Sequence, residues 1–410
     1  MTDYDVVAAK YRPVFERIRA GALEREQDRV LPFEQIQWLK DAGFGAARVP
    51  EEFGGDGLDW VQFTRLLIEL TAADSNITQA LRGHIALVED NLYHHHREDR
   101  SIWLRRFAAG EIAGNAWTEP GKGGTATVLE ESGSGLSLTG RKFYTTGTIF
   151  ADWVDVTAQR PDGEAVSVVI STKSAGVVTL DDWDGFGQRL TGSGTTIFDG
   201  APVEPENVYP FASRFPYQTA LYQHILLIVL AGIGKAAEDD VAEQVRGRDR
   251  VFSHGGASLV RHDPQVLQVV GEISAKVYAA ESTTLRTAET LEDAYRARLL
   301  DDATERSANI EAELATARAQ VVLSSLVPEA AGALFNVLGA SSTSTAKGLD
   351  RHWRNARTAA THNPFIYKAR IVGDWTVNAT PPPFIWEIGV AASGGVGESQ
   401  PAVSADAASG

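Results

Sequence analysis

Cysteine is absent from the 410 residues of this chain. Its absence excludes disulfide bonds, thiolate nucleophiles, zinc-thiolate sites and cysteine-ligated iron–sulfur clusters. Positive charge is also scarce, because 38 Lys and Arg stand against 54 Asp and Glu, for a formal net charge of -16. This balance opposes binding to polyphosphates or to anionic membranes. We therefore expect no nucleic-acid partner.

Long apolar runs are missing as well. The longest extends from Ile225 to Ile233, whereas a membrane-spanning helix needs about 20 such residues. The N-terminal segment contains acids and no uninterrupted apolar stretch, unlike a secretory signal. The expectation is a cytoplasmic protein with no membrane partner.

The hydrophobic pattern changes twice along a chain that is too long for a single core. Residues 1–113 and 213–390 have the three- and four-residue apolar spacing of helices. Between them, residues 114–212 form short runs rich in Val, Thr and aromatics that end at Gly, Asp or Pro, as strands do. Residues 391–410 have too few large apolar groups to become ordered. We predict a helical domain, a β domain, a second helical domain and a flexible tail.

Several local patterns are specific enough to test. The segment Val49–Gly57 contains a proline and three glycines and predicts a turn between helices. Strands are predicted at Gly135–Phe143, Trp153–Ala158, Ala165–Ser171 and Thr195–Asp199. One face of a late helix is predicted to be buried through Val266, Val270, Ile273, Val277 and Ala280.

Three segments resemble the acyl-CoA dehydrogenase superfamily. They are GNAWTEPG (114–121), LTGRKFYTTGTIFADWVDV (138–156) and GFGQRLTGSGTTIFDGAPVEPENV (185–208), and they occur in that superfamily's order. The resemblance covers residues 11–384. It implies an α+β fold with an N-terminal helical domain, a central β-barrel or sandwich and a C-terminal four-helix bundle.

Two later segments are more similar to the flavin-dependent monooxygenases of this fold, such as the dibenzothiophene monooxygenases. They are LFNVLGASSTSTAKGLDRHWRNART (334–358) and HNPFIYKARIVGDW (362–375). The resemblance implies a two-component enzyme and a homotetramer. A separate flavin reductase would supply reduced FMN, and O2 would form a C4a-hydroperoxide that oxygenates a small organic substrate, with sulfur as the expected target.

A dehydrogenase of this fold needs a Glu near the end of the late helices to remove a substrate proton. No carboxylate occurs between Asp350 and Asp374, so the usual base is missing from its usual neighbourhood. Position 359 is an alanine where the dibenzothiophene enzymes have a histidine, which leaves the identity of the substrate open.

The resemblance assigns catalytic roles to His362, His84 and Thr146. His362 matches a histidine beside the reactive edge of the flavin, where an imidazole can donate a hydrogen bond to the peroxide. His84 matches a second active-site histidine, and Thr146 replaces a serine whose hydroxyl contacts the flavin. Each histidine also has a structural interpretation, as a buried ring that is hydrogen-bonded to a neighbouring group.

Further residues are expected to hold the cofactor. The resemblance places Asn115, Trp117 and Thr118 along the flavin ring and makes Thr145 an alternative to Thr146. Trp183 is expected to cover the flavin or to be an ordinary packing residue. Arg250 resembles an arginine that reaches a flavin phosphate from a neighbouring subunit. A Ser- and Thr-rich segment favours FMN over FAD, with the phosphate held by Ser341, Ser342, Ser344 and Lys347.

No metal site is predicted, because consecutive residues on a helix point about 100° apart and the three histidines at 94–96 cannot share one ion. Three alternatives to sulfur oxygenation stay open. The first is oxygenation of nitrogen or of an aromatic carbon, the second is an acyl-CoA dehydrogenase with a relocated base, and the third is a non-catalytic scaffold subunit.

Overall fold

A computed structural model of the chain describes residues 3–119, 127–133 and 135–384. The predicted tail, residues 391–410, lies outside the described residues. The N-terminal part is helical, and the turn at 49–57 is present, with positive φ at Gly54 and Gly57. Its helices are α1 (Tyr4–Ala20), α2 (Ala22–Asp28), α3 (Phe33–Asp41), α4 (Trp60–Ala73), α5 (Ser75–Ala80), α6 (Arg82–His94) and α7 (Ser101–Ala108).

A mixed sheet follows, in the order β6-β7-β3-β2-β4-β5-β8, with β1 parallel to β4. All four predicted strands are confirmed, as β3, β4, β5 and β7, and the expected barrel or sandwich takes the form of one sheet. The strands are β1 (Ala113–Ala116), β2 (Val128–Ser132), β3 (Gly135–Lys142), β4 (Trp153–Gln159), β5 (Ala165–Ser171), β6 (Val177–Thr179), β7 (Thr196–Val203) and β8 (Val208–Pro210).

The C-terminal part is a helical bundle in which α8, α9, α10 and α12 pack together and α13 packs on α10. The predicted apolar stripe is buried at Ile273, Val277 and Ala280. The boundaries that separate the three domains stay a prediction. The helices are α8 (Gln218–Arg246), α9 (Pro264–Ala297), α10 (Asp302–Ala333), α11 (Phe335–Leu338), α12 (Asp350–Ala360) and α13 (Phe365–Asn378).

A buried ion network holds α6 against the C-terminal bundle. Arg48 contacts Glu89 of α6 at 3.0 Å and Glu292 of α9 at 3.4 Å. Glu89 also accepts hydrogen bonds from the Trp60 indole at 2.9 Å and from the Tyr217 hydroxyl at 2.7 Å. Because each charge in this network is paired and hydrogen-bonded, the network fixes the position of α6. The first residue of α6 lies in the candidate site.

Two helices have the length and composition of membrane spans, α8 and the segment 302–338. In α8, 83% of the most apolar stretch is buried inside the protein, and in the second segment the share is 44%. The apolar character of α8 therefore matches its place at the centre of the bundle.

Candidate active site

The turn between α12 and α13 brings His362 to the first residue of α6. Nε2 of His362 lies 2.9 Å from Nη2 of Arg82. An arginine has only donors, so Nε2 must accept and the neutral ring carries its proton on Nδ1. Desolvation and the charge of Arg82 lower the pKa of His362 well below its ordinary value, whereas a hydrogen bond to the Asn363 side chain acts in the opposite direction.

His362 is exposed, although the Arg82 that it contacts is buried. The imidazole therefore lies where the buried guanidinium meets the surface. The side chain of Gln320 on α10 supports this turn, because its Nε2 donates to the backbone oxygen of Asn363 at 3.1 Å. The imidazole is therefore held in place and remains accessible to a ligand.

Arg82 itself is buried, with 5% of its surface exposed. Its guanidinium lies 5.4 Å from the centre of the Tyr222 ring, and Nε has no hydrogen-bond partner. Desolvation lowers the pKa of Arg82 to about 10, which leaves it positively charged at neutral pH. In the part of the chain that the structure describes, no carboxylate lies within ion-pair distance of it.

Aromatic residues connect this pair to the sheet. The Tyr222 and Trp117 rings are 4.9 Å apart, and the Trp117 indole donates to Asp155 at 3.2 Å. The Tyr222 hydroxyl is buried without a partner, and desolvation raises the pKa of Tyr222 above its ordinary value. Helices α6 and α8, the α12–α13 turn and the segment after β1 therefore converge at one place.

Asn115 of β1 lies beside the same helix. A Cβ at Gly83 would come within 2.8 Å of the Asn115 backbone nitrogen and 2.9 Å of its Oδ1, so the glycine permits α6 to approach the strand. The Oδ1 atom is buried and has no partner. Thr118, after β1, is half-buried and pairs through its backbone with Phe143.

Thr145 and Thr146 lie in a buried turn against α5. Gly147, at φ 77°, permits this contact, since a Cβ there would lie 1.9 Å from the oxygen of Ala80. The Thr146 hydroxyl lies 2.8 Å from that of Ser193. Thr145 donates to the Gly194 oxygen at 2.9 Å and accepts from another threonine. A hydroxyl accepts two hydrogen bonds and donates one, so Thr146 retains capacity for a ligand.

Trp183 lies at the edge of this region and is half-buried. Its indole donates to the Gln188 oxygen at 3.0 Å, and its ring centre is 5.9 Å from that of Tyr144. The backbone nitrogen of Gln188 donates to Asn355 of α12 at 2.6 Å. The loop that contains Trp183 is therefore attached to the helix that precedes His362.

The predicted phosphate residues lie at the other end of α12. Ser341 and Ser344 are exposed, whereas Ser342 is buried and donates to the Gly339 oxygen at 2.6 Å. Lys347 donates to Gln244 at 2.6 Å. Because α12 has 11 residues, its ends are about 16 Å apart. The structure thus separates the predicted phosphate group from the predicted ring site along one helix.

Arg250 is exposed and lies in the segment between α8 and α9. Within the chain, it is Arg248 that reaches the serine-rich segment, through hydrogen bonds to the oxygens of Val337 and Leu338. The predicted contact between Arg250 and a flavin phosphate requires a neighbouring subunit, so it stays a prediction. Arg248 supports the segment and was not indicated by the sequence pattern.

His84 does not join the site. Its Nε2 lies 2.8 Å from the Gly45 oxygen, and its Nδ1 accepts from the Ala113 backbone nitrogen at 3.3 Å. Both ring nitrogens are therefore occupied by backbone groups. Desolvation lowers the pKa of His84 to about 4. The geometry corresponds to the structural interpretation rather than to the catalytic role expected from the resemblance.

Each of the three histidines at 94–96 has a different hydrogen-bond or ion-pair partner. His94 lies 3.7 Å from Asp90, His95 accepts from the Arg100 backbone, and His96 lies 2.6 Å from the Tyr93 oxygen. Among residues 3–119, 127–133 and 135–384, no group of three or more His, Cys, Asp or Glu could hold a metal ion.

The carboxylates that bracket the expected base position face other partners. Asp350 pairs with Arg354 at 2.8 Å, and Asp374 accepts from Asn378 at 2.7 Å. A buried carboxyl does occur on α10, at Glu313. It accepts from the Ala220 backbone nitrogen at 2.7 Å, and desolvation raises the pKa of Glu313 to about 7. None of these three acids contacts His362.

Arg82, Tyr222 and Gln320 were not predicted from the sequence. The signal for Arg82 was weak: it is a charged residue between Leu81 and the apolar stretch Ile85–Val88, and a charged residue next to apolar residues needs a reason to be there. Tyr222 and Gln320 have no comparable signal, since both lie at ordinary positions of long helices.

The residues of the site fit a flavin ring. An isoalloxazine has N–H donors and carbonyl acceptors. The unpartnered Oδ1 of Asn115 can accept from an N–H, and so can the hydroxyl oxygen of Thr146, whose own hydrogen is used within the chain. Trp117 adds an aromatic wall. The buried orphan acceptor beside Gly83 is the observation that supports this fit, because such an atom is costly unless a ligand satisfies it.

Known proteins are similar to this chain over nearly its whole length. Dibenzothiophene monooxygenase from Rhodococcus qingshengii is 27% identical over 93% of this chain and 95% of that protein. The FMN-bound structure of TdsC from Paenibacillus sp. A11-2 has a TM-score of 0.84 at 25% identity, covering 92% of this chain and 98% of that one. Methanesulfinate monooxygenase MsuC from Pseudomonas fluorescens has a TM-score of 0.82 at 26% identity, with coverages of 92% and 98%.

Family models match at both ends of the chain. The model described as acyl-CoA dehydrogenase, N-terminal domain, matches residues 7–111, and the one described as acyl-CoA dehydrogenase, C-terminal domain, matches residues 225–366. The two matches occur in the order of the fold, on either side of the sheet. The chain therefore belongs to the acyl-CoA dehydrogenase superfamily.

Proposed function

We propose that this chain is the oxygenase component of a two-component monooxygenase, which uses reduced FMN and O2 to oxygenate an organosulfur compound. The observation that carries the proposal is the neutral His362 at an accessible position, where a dehydrogenase would have its carboxylate base. Dibenzothiophene monooxygenase and methanesulfinate monooxygenase, both similar over nine-tenths of this chain, support sulfur as the target.

Asn115, Trp117 and Thr118 would contact the flavin ring, with Thr145 and Thr146 at its edge. Trp183 would close the site. At the other end of α12 the phosphate would be bound by Ser341, Ser342, Ser344 and Lys347, and Arg250 would reach it from a neighbouring subunit. The support is the alignment of both groups along α12 and the FMN in the similar TdsC structure.

When bound, reduced FMN would supply the two electrons and the position at which O2 reacts. The protein would supply a hydrogen bond to the reacting oxygen and exclude water. Since Nε2 of His362 accepts from Arg82, Nδ1 holds the ring proton, and Asn363 favours the protonated form. Trp117 and Tyr222, whose rings are 4.9 Å apart, would help to exclude water from the bound flavin.

A separate reductase would deliver the reduced FMN, and the chain would act in the cytoplasm as a homotetramer. Exposed apolar side chains on the late helices support assembly, because Tyr278 of α9 is 73% exposed and Val322 of α10 is 52% exposed. Apolar surface of this kind is commonly buried between identical subunits.

Stopped-flow spectroscopy tests the proposal. The protein is mixed anaerobically with reduced FMN and then with O2 in the presence of dibenzothiophene. We expect a transient absorbance that differs from both the reduced and the oxidised flavin, followed by a product that has gained one oxygen atom. His362→Ala should shorten the transient at least about tenfold, because a hydrogen bond to a charged or developing charged group contributes about 1.5–3 kcal/mol. His96→Ala, at an exposed histidine of the same protein, is the matched control.

The outcomes separate the alternatives. Direct reoxidation of the flavin with no transient in the wild-type protein would contradict the proposal. Oxygen gained on an amine or on a phenol ring, with none on sulfur, would assign the enzyme to nitrogen or carbon instead. Reduction of bound oxidised flavin by an acyl-CoA would establish a dehydrogenase.

A further inference from the structure

Arg82 differs from the other buried arginines of the described residues in having no carboxylate partner. Arg25 pairs with Asp74, Arg48 with Glu89, Arg100 with Glu98 and Arg214 with Asp155, at distances of 3.0, 3.0, 2.6 and 2.9 Å. Removing a cation from water costs several kcal/mol unless an opposite charge compensates it. Because the described part of the chain pairs its other buried arginines and leaves Arg82 unpaired, an anion from outside the chain would compensate this charge.

The surroundings of Arg82 are polar and incompletely satisfied. Nε of Arg82 and the hydroxyl of Tyr222 are buried without a partner. On α5, one turn before Arg82, Oε1 of Gln79 is also buried without a partner. A guanidinium has five N–H donors, and the structure occupies one of them, with His362. The remaining donors, together with the Tyr222 hydroxyl, can bind an oxyanion.

The position of this cation bears on the reaction. His362, which contacts the same guanidinium, is exposed to solvent. An anion bound to Arg82 would therefore lie next to the residue that we place at the reacting oxygen. If the anionic group contains the sulfur atom itself, binding and reaction occur at the same group.

We propose that Arg82 binds the oxyanion of an anionic organosulfur substrate, a sulfinate, and places its sulfur beside His362. The inference rests on the proposed monooxygenase function and adds the substrate class. The sulfur lone pair of the sulfinate takes up one oxygen atom of O2 to form a sulfonate. The second oxygen atom leaves as water, with the two electrons and two protons supplied by reduced FMN, which becomes FMN.

Methanesulfinate and neutral dibenzothiophene are suitable probe substrates, assayed with a flavin reductase and FMN. We expect wild-type protein to form methanesulfonate. Arg82→Met should lower the ratio of kcat/KM for methanesulfinate to that for dibenzothiophene by about 10- to 100-fold, the effect of losing a hydrogen bond to a charged group. Arg82→Lys should recover part of this loss. Arg105→Met, at an exposed arginine of α7, should leave the ratio unchanged.

Calorimetry on the wild-type protein with bound FMN provides a measurement that needs no variant. Methanesulfinate should bind, and neutral dimethyl sulfoxide should not. Equal binding of the two would overturn the inference, and so would an unchanged substrate ratio in Arg82→Met. If Arg82→Met instead weakens FMN binding, measured by flavin fluorescence, and affects both substrates equally, Arg82 serves the cofactor and the inference is wrong.

Failure of the inference is distinguishable from failure of the proposed function. If the wild-type protein oxygenates dibenzothiophene but not methanesulfinate, the proposed monooxygenase function stands and the proposed sulfinate substrate is wrong. If the protein oxygenates neither probe and shows no transient flavin absorbance, both proposals are wrong.

Discussion

Nη2 of Arg82 and Nε2 of His362 lie 2.9 Å apart, although 280 residues separate them in the chain. The contact joins the start of α6 to the turn after α12. It fixes the tautomer of the imidazole, since the arginine can only donate, and it places a buried positive charge next to the residue for which we propose a hydrogen-bond-donating role. The chemistry of each residue therefore depends on the other.

Removing the charge of Arg82 should not destabilise the fold, in contrast to Arg48. Arg48→Met leaves Glu89 buried without its cation, whereas Glu292 keeps its contact with Arg296. Removing one partner of a buried ion pair costs about 3–5 kcal/mol. Arg82→Met removes a charge that has no carboxylate partner in the described residues. We therefore expect the free energy of unfolding to fall by no more than about 1 kcal/mol, or to rise. Urea unfolding of both variants measures the difference. If Arg82→Met lowers the free energy of unfolding as much as Arg48→Met does, the conclusion that Arg82 has no carboxylate partner is wrong.

The stability of the protein should depend on pH through His84. Its pKa is lowered to about 4 in the folded protein, whereas the unfolded value is about 6.5. Between these values the unfolded chain binds a proton that the folded chain does not, so the free energy of unfolding falls as the pH is lowered through this window. One such group contributes up to about 1.4 kcal/mol per pH unit.

The variant His84→Gln should reduce this slope by about that amount, measured by urea unfolding from about pH 7 down to about pH 5. His224, whose pKa desolvation lowers to about 3, remains in the variant and keeps part of the slope. An unchanged slope in His84→Gln would show that His84 is not buried in the neutral form.

Gly83→Ala should disturb the flavin site directly. The added Cβ would lie 2.8 Å from the backbone nitrogen of Asn115, so α6 must move away from β1, at a cost of about 1–3 kcal/mol. We expect both thermal stability and FMN affinity to fall. Gly271→Ala on α9 is the control, because a Cβ there meets nothing within 4 Å, and it should stabilise its helix by up to about 1 kcal/mol. If Gly83→Ala leaves FMN affinity unchanged, the proposed contact between Asn115 and the flavin is wrong.

Lys347→Met should weaken FMN binding by about tenfold or more, because a charged hydrogen bond to the phosphate contributes about 1.5–3 kcal/mol. The same substitution at Lys173, which is exposed in the β part of the chain, removes an equal charge away from the predicted phosphate site and should have no effect. Fluorescence titration of FMN with each variant provides the measurement. If the two variants bind FMN equally well, Lys347 does not bind the phosphate.

Many of the elements were readable from the sequence because their signals are local. The strands at Trp153–Gln159 and Ala165–Ser171 are runs of β-branched and apolar residues between turn residues, and a late helix buries the predicted stripe at Ile273 and Val277. Family resemblance then ordered these elements into one fold. The resemblance could not show the hydrogen-bond partners of single residues, and at His84 the structure places backbone groups against both ring nitrogens.

By itself, the sequence determined the helical and β regions, excluded thiol chemistry and showed that the expected dehydrogenase base is missing between Asp350 and Asp374. Only the tertiary structure decided which histidine is accessible and which arginine lacks a partner. The reason is physical: burial and pairing depend on groups from distant segments, and no local pattern records that Arg82 meets His362 and no carboxylate of the described residues.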